Sequence, residues 1–204
     1  MDINFIKMEG LGNNFILMDD RDGSIRQYTP YTKLAQQLCS RHFGIGADGI
    51  LLMLEPEELE MRFRIYNSDG SQAEMCGNGM RCFAKHLYEN RIITKKRIRV
   101  ETDAGKVVPE VIIDGKGDVS AVRVDMGEPE MRCTDIPFDS ENETAIEEQL
   151  VVGDEEYTIT AVSMGNPHAV IFVDDLYNTD ISTIGPVIET HERFPEKTNV
   201  EFIE

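Results

Sequence analysis

The apolar positions fall into short runs, several of which alternate apolar with polar. Phe15-Ile16-Leu17-Met18, Gly49 to Leu54, Met61 to Tyr66, Arg97 to Thr102, Val107 to Ile113, Ala121 to Val124 and Ala169 to Val173 each predict a strand. The clearest alternation sets Phe63 and Ile65 against Arg62 and Arg64, the pattern of a half-buried antiparallel strand. Two segments change to helical spacing. Residues 30–41 open on Pro30 and Thr32, carry Leu34, Ala35 and Leu38 on one stripe and stop before Gly44. Residues 78–89 place Met80, Phe83, Ala84 and Leu87 on one face. A weaker helix is expected near 176–187. Asp114-Gly115-Lys116-Gly117-Asp118 is a hairpin-type turn that suggests a division into 1–117 and 118–204. The predicted class is mixed α/β (α+β), mostly antiparallel strands around a few helices.

Composition narrows the partners. Against 20 basic residues stand 38 acidic ones, for a formal charge of −18, so a phosphate backbone or an anionic membrane would be repelled. No apolar run approaches the roughly 18 residues that span a bilayer, and the start lacks a signal-peptide pattern, so a soluble, cytoplasmic protein is expected. Cysteines 39, 76, 82 and 133 and histidines 42, 86, 168 and 191 form no Cys-x-x-Cys, His-x-x-x-His or mixed cluster. They read as free thiols and scattered imidazoles, without a metal site.

The chain also echoes itself. Gly12-Asn13 precedes a short apolar strand and Asp19-Asp20; Gly165-Asn166 precedes Ala169 to Val173 and Asp174-Asp175. If these mark equivalent points of two halves, a second copy of whatever surrounds Cys76, 63 residues beyond Asn13, belongs near position 229. The given chain has 204 residues, which suggests an incomplete second half.

The densest stretch for chemistry runs from Tyr66 to Cys82. It leads from a strand through small and polar residues into the 78–89 helix, and Cys76 stands just before Gly77-Asn78-Gly79. Unpaired N–H groups and the positive end of the helix dipole favour an anion there, whether a thiolate or a substrate carboxylate. Glycines let that carboxylate approach the backbone. On the residues alone, a buried structural cysteine before a glycine-rich helix cap is the favoured reading. Cys82 and Cys39 read as small helix-core residues, and Cys133 lies in a loop-like stretch.

Seven stretches, in order, resemble the signatures of diaminopimelate epimerases: Gly10 to Phe15, Arg41 to Gly49, Asn67 to Ser71, Cys76 to Cys82, Met126 to Pro129, Ser163 to His168 and His191 to Val200. The resemblance implies two pseudo-symmetric α/β domains, each a curled antiparallel sheet around a central helix, with the second incomplete here. It implies epimerisation of LL- to meso-diaminopimelate, for lysine and peptidoglycan synthesis, without pyridoxal phosphate, metal or other cofactor. Two cysteines would face the α-carbon from opposite sides. Transferred by residue, Cys76 is one acid/base; Gly77 and Asn78 offer helix-end contacts to the reacting carboxylate; Asn13, Asn67, Asn166 and Asn199 hold the substrate; and His168 supports the site. A homodimer is a family expectation. Two departures matter: Gly49 offers no side chain where the family usually has one, and the second cysteine is not within 1–204, so this polypeptide alone is expected to be inactive. The alternatives are a non-catalytic fragment, or another pyridoxal-independent racemase or isomerase of this fold, acting on proline derivatives or a phenazine precursor.

Overall fold

Runs such as Phe15-Ile16-Leu17-Met18 and Gly49 to Met53 are buried at every position, which requires a sheet covered on both faces. The computed structural model, which describes residues 2–204, builds that sheet in the first of two compact units, Met1–Asp125 and Met126–Glu204. Strands β1 (Ile6–Gly10) and β2 (Asn13–Asp19) form an antiparallel hairpin. Its two-residue turn, Leu11-Gly12, has both φ values positive, 51° and 89°, as the twist-matched hairpin turn requires.

Helices α1 (Ser24–Tyr28) and α2 (Tyr31–Cys39) then carry the chain to β3 (Gly49–Leu54), parallel to β2. Strand β4 (Met61–Asn67) pairs antiparallel with β3, and β5 (Gln72–Ala73) lies on β4. After α3 (Gly77–Glu89), β6 (Val100–Thr102) and β7 (Gly105–Val107) complete the order β1-β2-β3-β4-β6-β7. A separate hairpin joins β8 (Glu110–Ile113) to β9 (Val119–Arg123).

Ile16, Met18, Ile50 and Leu52 point to the face covered by Ile25, Tyr31, Leu34 and Ala35 of α1 and α2. The alternate residues meet α3, where Phe63 packs edge-on to Phe83 at 5.0 Å between ring centres. The central helix α3 also packs against β1, β2, β8 and β9.

The second unit contains β10 (Glu148–Val152), β11 (Glu155–Ser163), β12 (Pro167–Phe172), α4 (Ile181–Glu189) and β13 (Asn199–Ile203). The sheet order is β10-β11-β12-β13, antiparallel except for the final parallel pair. Leu150, Ile159, Ala161, Ala169 and Ile171 meet Ile136, Phe138, Ile188 and Phe194 in its core. The Arg193 guanidinium stacks 4.3 Å over the Phe138 ring and forms an ion pair with Glu148.

The sequence echo has a topological counterpart. In each unit a Gly-Asn pair stands at a hairpin turn, and the hairpin's second strand pairs in parallel with one reached through a helical crossover: β1–β2 to β3, and β11–β12 to β13.

The expected mixed α/β class is the observed one, with local differences. The run 107–113 splits at Pro109, which has no N–H to give a ladder, into the ends of β7 and β8. The strand expected over 97–102 shortens to Val100–Thr102. The last helix begins at Ile181 because the Asp180 carboxylate caps it through the Thr183 N–H, so Leu176 lies outside it. The turn at 114–118, where the sequence suggests a boundary after 117, closes the β8–β9 hairpin inside the first unit. Among the described residues no helix is long and apolar enough to cross a membrane.

Candidate active site

The entrance of α3 is shaped by Cys76. Its extended backbone, φ −142° and ψ 119°, makes it the cap residue, and its Sγ accepts the Gly79 N–H at 3.4 Å. Its carbonyl accepts the Met80 N–H at 2.8 Å, closing the first helical turn. Gly79 lets this turn sit tightly on the sheet, since a Cβ there would stand 3.0 Å from Leu51 and 3.5 Å from Phe63. Cys76 is half-buried. The remaining three thiols are buried. Burial pushes the Cys39 thiol up to about 11 and raises Cys82 and Cys133 as well.

Asn78, one residue beyond Gly77 in the same turn, donates from Nδ2 to Asn13 Oδ1 at 2.9 Å, while its Oδ1 accepts from Arg81 at 3.1 Å. This bond ties the start of β2 to the start of α3. Asn67 reaches the same end of the sheet by register: Phe15 opposes Gly49, and Gly49 opposes Asn67. Its Nδ2 is engaged by Ser71 Oγ at 3.0 Å rather than by Asn13 or Asn78. Asp48 fastens this edge, accepting the Asn14 N–H at 2.8 Å and pairing with Arg41 at 3.3 Å. Gly49 has a packing reason: a Cβ there would lie 2.7 Å from the Tyr66 carbonyl oxygen. The first unit therefore brings together Cys76, Gly77, Asn78 and Asn13, with Asn67 on the same sheet end.

Asn166, His168 and Asn199 belong to the second unit, around the starts of β12 and β13. His168 Nδ1 lies 2.7 Å from Glu201 Oε1, and its Nε2 lies 3.1 Å from Asn166 Oδ1. Asn199 opposes His168 in the parallel ladder and donates to the Pro167 carbonyl at 3.0 Å. Arg81 and Glu201 were not singled out from sequence. Arg81 carried a signal in standing three residues from Asn78 on a helix, the spacing at which side chains meet. Glu201 carried none, since its bond to His168 spans 33 residues.

Solved structures described as a probable proline racemase and a phenazine biosynthesis protein share this fold. A protein described as a probable proline racemase from Agrobacterium radiobacter, with bound carbonate, matches 98% of this chain and 66% of its own with a TM-score of 0.63 at 16% identity. A Bacillus anthracis phenazine biosynthesis protein matches 84% of this chain and 55% of its own at 0.56 and 19%. At such identities the likeness concerns architecture only. Sequence relatives are far nearer. Residues 5–132 and 160–204 match the diaminopimelate epimerase family. The Desulforapulum autotrophicum diaminopimelate epimerase is 54% identical over 203 residues, covering 100% of this chain and 72% of the relative. The Heliobacterium modesticaldum enzyme is 46% identical, covering 99% and 72%. The chain belongs to the diaminopimelate epimerase family.

Proposed function

We propose that the protein interconverts LL- and meso-diaminopimelate, with Cys76 as one of two acid/base groups and no cofactor in the proton transfer. The observation that carries this reading is Cys76 at the cap of α3, with its sulfur on a helix-end N–H and the Asn78–Asn13 pair beside it. As thiolate, Cys76 would take the α-proton, forming an S–H bond as the C–H bond breaks. The electron pair left on carbon is delocalised into the α-carboxylate, whose growing charge the helix-end N–H groups of Gly77 and Asn78 stabilise. A second acid then protonates the opposite face. Cys39, Cys82 and Cys133 are buried and unsuited to that role, so the second group is expected in the part of the family's length that this chain does not span. Asn13, Asn67, Asn166 and Asn199 suit a substrate with two amino-acid ends, because each amide both donates and accepts. His168 serves as a supporting group, and a small molecule is the only partner the reading needs.

The test compares residues 1–204 with a chimera extended by the C-terminal segment of the Desulforapulum relative, in heavy water. The chimera should wash deuterium into the substrate α-carbon without added pyridoxal phosphate and after exhaustive chelation. The 204-residue chain alone should not, because losing one positioned proton-transfer group costs about 10²–10⁴-fold. Equal turnover from both, or loss of the chimera's activity on chelation, would overturn the reading.

A further inference from the structure

Amide side chains are ambiguous in which way they face, but a chain of hydrogen bonds that starts from a donor-only group removes the ambiguity. Such a chain begins at Arg81. A guanidinium can only donate, so the Asn78 atom 3.1 Å from Arg81 must be the carbonyl oxygen. The amide nitrogen of Asn78 is thereby turned to Asn13, 2.9 Å away, and the Asn13 atom receiving it must again be the oxygen. Both N–H bonds of the Asn13 amide are left over, and among the described residues its Nδ2 makes no hydrogen bond. Arg81 lies one helical turn inside α3 and need not touch a substrate to have this effect.

We propose that Arg81 is a positioning residue that sets the polarity of Asn13, so that Asn13 presents donors only and recognises a carboxylate of the amino-acid substrate in preference to an ammonium. The assignment rests on the epimerase reading for the identity of the substrate, but the relay itself does not. Asn13 without the relay is a two-way group that could accept from an ammonium as easily as donate to a carboxylate. With it, one end of a zwitterionic substrate is favoured at this corner, and the orientation of a nearly symmetric molecule is fixed by a residue that does not contact it. The arrangement also gives a role to the polar pair at the join between the β2 start and the α3 start.

Two arms test the proposal. In 15N-labelled residues 1–204, Asn78→Asp keeps an acceptor for Arg81 but cannot donate to Asn13, so the Asn13 amide should turn over and both its Nδ2 proton signals should shift. Arg81→Met should move the Asn78 and Asn13 amide signals, and Arg81→Lys should restore them in part. In the chimera described above, Arg81→Met should raise KM about tenfold or more, as for a lost hydrogen bond to a charged group. It should leave kcat within about threefold, because binding common to ground and transition states is what is lost. A general disturbance of the α3 entrance would instead lower kcat. Asn13 signals unmoved by Asn78→Asp, or a fall in kcat with KM unchanged in Arg81→Met, would overturn the proposal. An inactive wild-type chimera would count against the epimerase reading alone, and the amide spectra would still decide the relay. If Arg81→Met does not fold, Asn78→Asp interrogates the same relay from its middle.

Discussion

Limited alkylation should find Cys76 before any other thiol, and the margin can be worked from the surroundings of the rest. Cys39 is 3% exposed, and burial pushes its thiol up to about 11. At pH 8 such a group is ionised in roughly one molecule in a thousand, against about a quarter for a cysteine of ordinary acidity. Since the thiolate is the nucleophile, ionisation alone slows Cys39 by about two hundredfold. Access adds a further penalty, because the side chain must be uncovered by local opening before reagent can reach it. Cys82 and Cys133 are raised by burial too and are 4% and 3% exposed. Cys76 is half-buried at a helix end, so reagent reaches it with less uncovering. The assay is brief treatment of reduced protein with limiting iodoacetamide at pH 8, followed by peptide mass mapping. Labelling should concentrate on the Cys76 peptide, and Cys39 labelling should climb about tenfold per pH unit towards pH 11. Early modification of Cys39, Cys82 or Cys133 in the folded protein would refute the reasoning.

Three further outcomes follow from the packing and charge. Tyr31→Phe removes the hydroxyl that donates to the buried Asp20 carboxylate, which the Ile25 and Arg26 N–H groups also serve; a loss of about 1 kcal/mol is expected, a fall of a few degrees in melting temperature. Gly49→Ala would force a Cβ to within 2.7 Å of the Tyr66 carbonyl, so its urea midpoint should drop by the equivalent of about 1–3 kcal/mol. Glu60 is held down to about 2 by its hydrogen bond from Lys95 and the Arg99 N–H. Its folded value lies below its unfolded one, so its contribution is complete above about pH 4.5 and disappears as pH falls through 2. Glu60→Gln should therefore flatten the stability profile between pH 4.5 and 2, and an unchanged slope would reject the assignment.

Much of this was readable from sequence wherever burial leaves a plain pattern. Strands β3 and β4 appeared because two-sided burial gives a continuous apolar run in one and Arg/apolar alternation in the other. Helix α3 appeared because its stripe of Met80, Phe83, Ala84 and Leu87 meets the sheet. Strands β11 and β13 were hidden by charge: Glu155 and Glu156 face outward, Glu201 bonds the distant His168, and all three dilute the alternation. Helix α1 is too short for a periodic signal. Within the site, Cys76 stood out through its glycine-rich helix entrance, and the asparagines through family motifs. Their amide directions did not, because the Asn13–Asn78 bond joins residues 65 apart, and only the folded chain shows that Arg81 starts it.

The crossover joining each hairpin to its parallel partner has a kinetic meaning as well. The β1–β2 and β11–β12 hairpins close over a few residues, at little entropic cost, and can form early. The β2–β3 and β12–β13 pairs must each wait for a long intervening loop with its own helix to be closed. Asn13 and Asn166 therefore ride on fast-forming local structure, whereas Asn199 and the Asn78–Asn13 bond depend on slow, long-range pairing. A folding chain would acquire its asparagines at the hairpin tips first and the preset direction of Asn13 last, so recognition should be the final property to mature and the first to be lost on partial unfolding.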